Sequence, residues 1–204
     1  MPNTPQHPLS GLCIGILLTN DFEQAEMTEP RAALEAAGAT IRMVSDTTDQ
    51  VRGVHHDQAG DRFDVDTTFK QVRADEFDAL LLPGGEVNAR CIRNNPDAQA
   101  LVRQIDAQGK PIAVICHAPW LLISAGLVQG RKMTSAPDVK SDLEKAGAYW
   151  VDEKAVADRN WVSSRTPEDI PAFNAAFKDL LVEQKRKQTR SMSSDIPSST
   201  SEGG

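Results

Sequence analysis

Three short stretches of this 204-residue chain hold side chains able to do chemistry. The first is Lys110–Leu122, KPIAVICHAPWLL. Its apolar run Ile112–Ile115 ends directly on Cys116, and helix-forming residues begin about two positions later. A nucleophile on so sharp a strand-to-helix turn is lifted above the carboxyl edge of a sheet, where open α/β folds bind ligands. The free N–H groups at the helix start carry partial positive charge. They favour thiolate over thiol, so a pKa below the free value of about 8.5 is expected for Cys116. The same N–H groups, that of His117 included, could hold an oxyanion. The plain alternative is a small buried hydrophobe, the common fate of a strand cysteine.

The second stretch is Leu80–Glu86, LLLPGGE. Glycines at a strand end let backbone approach a ligand and can present an N–H to an anion, and Gly85 is the donor to name. The third is Asp21–Glu26, DFEQAE, at the exit of the first apolar run. Glu23 and Glu26 stand three apart, hence on one face of a helix. A partly buried carboxyl there would stay protonated and either hydrogen-bond the sulfur or shuttle protons. Acids that merely favour a helix N-terminus are the alternative, and for Glu23 the two readings stand level. Cys13 lies inside a strand with no turn after it and reads as core, whereas Cys91 reads as a surface thiol.

The elements that must position these groups follow from the apolar pattern. Residues 12–19 form a nearly unbroken apolar run, as in a parallel strand covered on both faces. A helix is predicted over 22–37, capped by Asp21 and stopped by Gly38. Strands are predicted at 40–44, 79–82 and 111–115, with shorter pieces at 149–151 and 161–163. Residues 46–66 read as a small β excursion and 69–73 as a short helix. Further helices are predicted over 97–108, 118–125, 139–146 and 168–187. Alternating strands and helices imply a doubly wound parallel sheet, an α/β three-layer sandwich of the flavodoxin-like kind. Residues 1–11 read as an extension, 12–188 as a single domain, and 189–204, rich in Ser, Thr and Gly, as a disordered tail.

Composition bounds the function. The chain is 40% hydrophobic, 25% charged and only 5% aromatic, with net charge −7. Few aromatics and an acidic balance argue against a nucleic-acid partner. No apolar run approaches the roughly 20 residues of a membrane span, and the polar start lacks a signal-peptide pattern. An odd count of three cysteines without metal-like spacing reads as free thiols in a reducing compartment, with the cytoplasm as the default. No dinucleotide fingerprint and no metal-ligand cluster is evident, so no cofactor is expected.

Taken together, the elbow AVICHAPWLLISAGLVQGRKMTS, the LLLPGG turn, DFEQAE, AGAYWVD and RNWVSSRTPEDIPAF resemble the ThiJ/PfpI superfamily, in its PfpI branch. The resemblance runs over residues 12–182. It implies a sandwich related to class I glutamine amidotransferases, assembled as homodimers and sometimes hexamers. It also implies stress-protective activity described as peptidase, glyoxalase, deglycase or chaperone-like. By position it makes Cys116 the nucleophile, His117 the adjacent histidine, Glu26 the carboxyl at the thiol, and Gly85 with the His117 N–H the oxyanion donors.

One departure bears on mechanism. Protease-like members take a triad glutamate from a neighbouring subunit, just after the Gly-Gly turn. Here Val87-Asn88-Ala89-Arg90 holds no acid, and Glu86 is offset. The four histidines are His7, His55, His56 and His117. None lies late in the chain, which excludes an amidotransferase triad, and His55 and His56 read as solvated loop residues. His117 needs an acid to orient it, and its side chain could diverge from the sulfur. A hydrolase of small reactive carbonyls or glycated groups therefore leads. A cysteine peptidase with an intersubunit triad and a non-enzymatic redox sensor or chaperone follow. The expected substrate is a small molecule or a modified protein.

Overall fold

The computed structural model describes residues 7–194. Along the chain, β1 (Cys13–Leu17) and β2 (Phe22–Glu23) precede α1 (Gln24–Ala36). Then come β3 (Thr40–Ser45), β4 (Gln50–His55), β5 (Gln58–Asp64) and β6 (Thr67–Thr68). The central part holds β7 (Ala79–Leu82), α2 (Glu86–Ile92), α3 (Pro96–Ala107), β8 (Ile112–Ile115) and α4 (Pro119–Ser124). The last part holds β9 (Lys132–Met133), α5 (Lys140–Lys145), β10 (Tyr149–Trp150), β11 (Ala155–Asp158), β12 (Trp161–Ser164) and α6 (Ile170–Ser194).

Seven strands make the main sheet in the order β11-β12-β8-β7-β1-β3-β6. All pair in parallel except the edge strand β11, which runs antiparallel to β12. The chain leaves β1 toward β3 on one side and returns to β7 on the other, so the winding reverses at the β1–β7 junction. Ligand sites of open α/β sheets form at the carboxyl ends of the strands at such a junction. This is the α/β sandwich that the alternating pattern predicts.

Both faces of the sheet are covered, which is why β1, β7 and β8 read as continuous apolar runs. Alternation sorts their side chains into two layers. Leu80, Leu82, Ile112 and Val114 pack with Ile92, Leu101, Leu121 and Leu143 from α2–α5. Ile14, Ile16, Leu81 and Ile115 pack with Met27 and Leu34 of α1 and with Phe173 and Phe177 of α6.

Several expectations are corrected. Asp21 does not cap α1: it lies at φ 62° and its carboxyl binds Arg52, while the N-cap residue is Glu23. Residues 69–73 are not helical; a 3₁₀ turn follows at Ala74–Glu76. Leu9, assigned to an extension, is fully buried, and its N–H bonds Ala37 O at 2.9 Å. Residues 189–194, assigned to the tail, are the last turns of α6; residues 195–204 lie outside the described residues. α2 and β11 are elements the pattern does not reveal.

Candidate active site

β8 ends on Cys116, whose φ of 63° lies in the left-handed region. That conformation costs a non-glycine residue about 1–2 kcal/mol, and the surroundings must hold it. They do so from both sides. The Cys116 N–H donates to Ser164 O at 3.1 Å, and its carbonyl accepts from the Ala136 N–H at 3.0 Å. The thiol is thereby fixed at the sheet's carboxyl edge, and it opens into a cavity of about 1020 Å³.

The Gly-Gly turn after β7 is pressed against the same edge. A Cβ on Gly84 would stand 2.5 Å from Glu26 Oε2 and 2.7 Å from Cys116 Cβ. Gly85 has φ 87°, and a Cβ there would stand 2.6 Å from both Asp21 O and Glu23 N. Only glycine fits either position. Asn88 of α2 pins the turn to the end of β1. Its Nδ2 donates to Pro83 O and Gly84 O at 3.0 and 2.9 Å, and its Oδ1 accepts from Thr19 N–H at 2.7 Å.

Glu26, on the first turn of α1, is fully buried in the stripe that also holds Met27, Pro30 and Leu34. Its Oε2 accepts the Gly84 N–H at 2.7 Å, while Oε1 is buried without a hydrogen-bond partner. Desolvation raises its pKa from the ordinary 4.5 to about 8, only partly offset by the Gly84 N–H and the thiol. The carboxyl is therefore protonated at neutral pH.

The thiol departs from expectation. Burial and then Glu26 raise its pKa, and these effects outweigh the amides of Gly85 and His117 that donate to the sulfur. A depressed pKa was the expectation from the helix N-terminus, but α4 is only six residues long, and desolvation dominates. The resting group is a thiol, so the site needs a base.

One stands beside it. His117 does not diverge: its Nδ1 lies 3.1 Å from Cys116 Sγ. Its Nε2 lies 2.8 Å from Asp138 Oδ2. With the Asp138 carboxylate accepting from Nε2–H, Nδ1 presents its lone pair to the thiol. The orienting acid thus comes from the same chain, 21 residues after the histidine. Asp138 sits in the Pro137–Val139 turn before α5, where nothing local in the sequence marks it.

The remaining candidates fall on the walls. Glu23 lines the cavity without a bond to the sulfur; its Oε2 accepts the His56 N–H at 3.0 Å and anchors the tip of the β4–β5 hairpin. His56, read as solvated loop, joins the wall, as does Glu168, whereas His55 does not. Cys91 is exposed, and Cys13 is half-buried in β1 with its pKa raised by burial.

This geometry defines a class, an α/β protein carrying a cysteine on a strand-to-helix elbow. The model of the DJ-1/PfpI family matches residues 13–179, and the chain belongs to that family. It is 43% identical to a deglycase of Pyrococcus horikoshii over 81% of this chain and 96% of that one. It is 36% identical to protein/nucleic acid deglycase 2 of Escherichia coli, covering 82% and 96%. The crystal structure of Drosophila melanogaster DJ-1beta matches with a TM-score of 0.76 at 25% identity, over 89% of this chain and 97% of that one. Among the described residues, no helix is long and apolar enough to cross a membrane.

Proposed function

We propose that the protein is a stress-protective, cysteine-dependent deglycase that removes small dicarbonyl adducts from amines or thiols, with Cys116 as nucleophile. The contact carrying this reading is the relay from Cys116 Sγ through His117 to Asp138, at 3.1 and 2.8 Å. Relatives named as deglycases over nearly their full length support the substrate class.

In this reading the thiol proton passes to His117 Nδ1 as sulfur adds to the adduct carbon. The C–N bond of the adduct breaks as the C–S bond forms; the N–H groups of Gly85 and His117, which already point at the sulfur, meet the oxygen that gains charge later, when water attacks the thioester. The departing amine takes the proton from His117, leaving a hemithioacetal on Cys116. Proton transfer from the sulfur-bearing carbon to its carbonyl neighbour turns the hemithioacetal into a thioester without an external oxidant. The buried, neutral Glu26 carboxyl is placed to relay it, giving its own proton to the neighbouring carbonyl oxygen and then, as carboxylate, taking the proton that leaves the carbon. Water then hydrolyses the thioester to a hydroxy acid and restores the thiol. The protein works as a homodimer or larger assembly in the cytoplasm.

A second reading, a cysteine peptidase, is favoured by the same relay, since a base oriented by an acid within one chain needs no partner subunit. The choice of substrate separates the two, and Asp138→Asn tests the relay they share. Wild type should release adduct from a methylglyoxal-treated peptide while leaving the peptide bond intact. Asp138→Asn should lower kcat about tenfold with little change in KM. Cleavage of unmodified fluorogenic peptides, lost in Cys116→Ser, would instead establish the peptidase.

A further inference from the structure

The charge around the cavity narrows the substrate, given the deglycase reading. Besides the neutral Glu26, six carboxyl side chains line it against a single guanidinium, that of Arg52, and no lysine. Arg52 is committed to Asp21, its Nε and Nη2 both bonding Oδ1 at 3.0 and 2.6 Å. Asp138 faces His117, and Glu86 is held by Arg90 at 2.7 Å. Asp57 and Glu168 have no cation within ion-pair distance among the described residues. Hydrogen bonds from Thr166 and from its own backbone hold the Glu168 carboxyl below its usual range, so it stays ionised.

The floor adds no opposing charge. Glu26 Oε2 accepts the Gly84 N–H, so the proton of the neutral carboxyl lies on the buried Oε1, which has no hydrogen-bond partner among the described residues. Clefts lined by one sign of charge enrich ligands of the other sign and repel their own.

We propose that this chain selects adducts borne on cationic segments, those beside lysine or arginine, and disfavours the same adducts on acidic peptides or nucleotides.

The test reads Cys116 directly, by peptide mass spectrometry after brief exposure to methanethiosulfonates. The reagents carry a trimethylammonium, a methyl or a sulfonate group, and each rate is normalised to that with 2-mercaptoethanol. The cationic reagent should outpace the anionic one by about tenfold at low salt. That ratio should shrink toward one at about 1 M salt and in Glu86→Gln/Glu168→Gln. A ratio at or below one, or one that the double variant leaves unchanged, overturns the proposal. In parallel, adduct release is compared among an arginine-flanked peptide, a glutamate-flanked peptide and guanosine monophosphate. Release from the nucleotide or the acidic peptide equal to that from the cationic peptide also overturns it, while the deglycase reading stands. No release from any of the three overturns the deglycase reading itself, independently of the reagent ratio.

Discussion

At the scale of single residues, the site turns on two acids buried to very different degrees. Glu26 is sealed and neutral; Asp138 is 58% exposed and orients a histidine. The first has a pH signature. Below about pH 4.5 both folded and unfolded chains hold the Glu26 proton. Between about 4.5 and 8 the unfolded chain loses it and the folded chain keeps it. Each pH unit in that window therefore costs the native state up to about 1.4 kcal/mol. Glu26→Gln carries no such proton. Its stability relative to wild type should rise through the window and level off above it, as urea midpoints from pH 4 to pH 9 would reveal. A pH-independent difference would mean the carboxyl is not buried neutral. Cys116, Gly85 and Glu26 stand out in the sequence because each sits at a strand exit, where residue type and position alone suggest a role. Asp138 does not, since its proximity to His117 arises only when Ala136 closes back onto the Cys116 carbonyl.

At the scale of elements, position is set by backbone closures more than by helix ends. The cap expected from Asp21 fails because the chain needs a left-handed residue there to carry β1 into β2. The thiolate expected from the helix start fails because desolvation outweighs two amides. α2 escapes the periodic pattern because its buried face contains Asn88 beside Ala89 and Ile92. That asparagine is the clamp of the Gly-Gly turn. Asn88→Ala should cost about 2–4 kcal/mol by orphaning the Thr19 N–H and two turn carbonyls. It should also lower the rate of Cys116 modification in the variant that remains folded, because Gly85 loses its support. Thermal unfolding and alkylation kinetics measure both. Unchanged alkylation would assign Asn88 to stability alone.

At the scale of the molecule, the winding reversal between β1 and β7 brings three distant stretches of sequence to one edge. That much is legible, because parallel strands buried on both faces leave continuous apolar runs. The ends of the domain are less so. Leu9 follows a polar segment, yet it inserts fully into the α1–α6 layer. Leu9→Ala should cost about 2–5 kcal/mol, and a denaturation midpoint indistinguishable from wild type would show that this segment is dispensable.

The enzyme reading rests on one sulfur, and its removal is the sharpest probe. Adduct release from a methylglyoxal-treated peptide should be measured for wild type and Cys116→Ser at matched folded fraction. A loss of at least about 10³-fold in the variant is the expected result, since serine lacks thiol nucleophilicity in the same position. Turnover undiminished in Cys116→Ser would contradict a covalent role for the elbow cysteine.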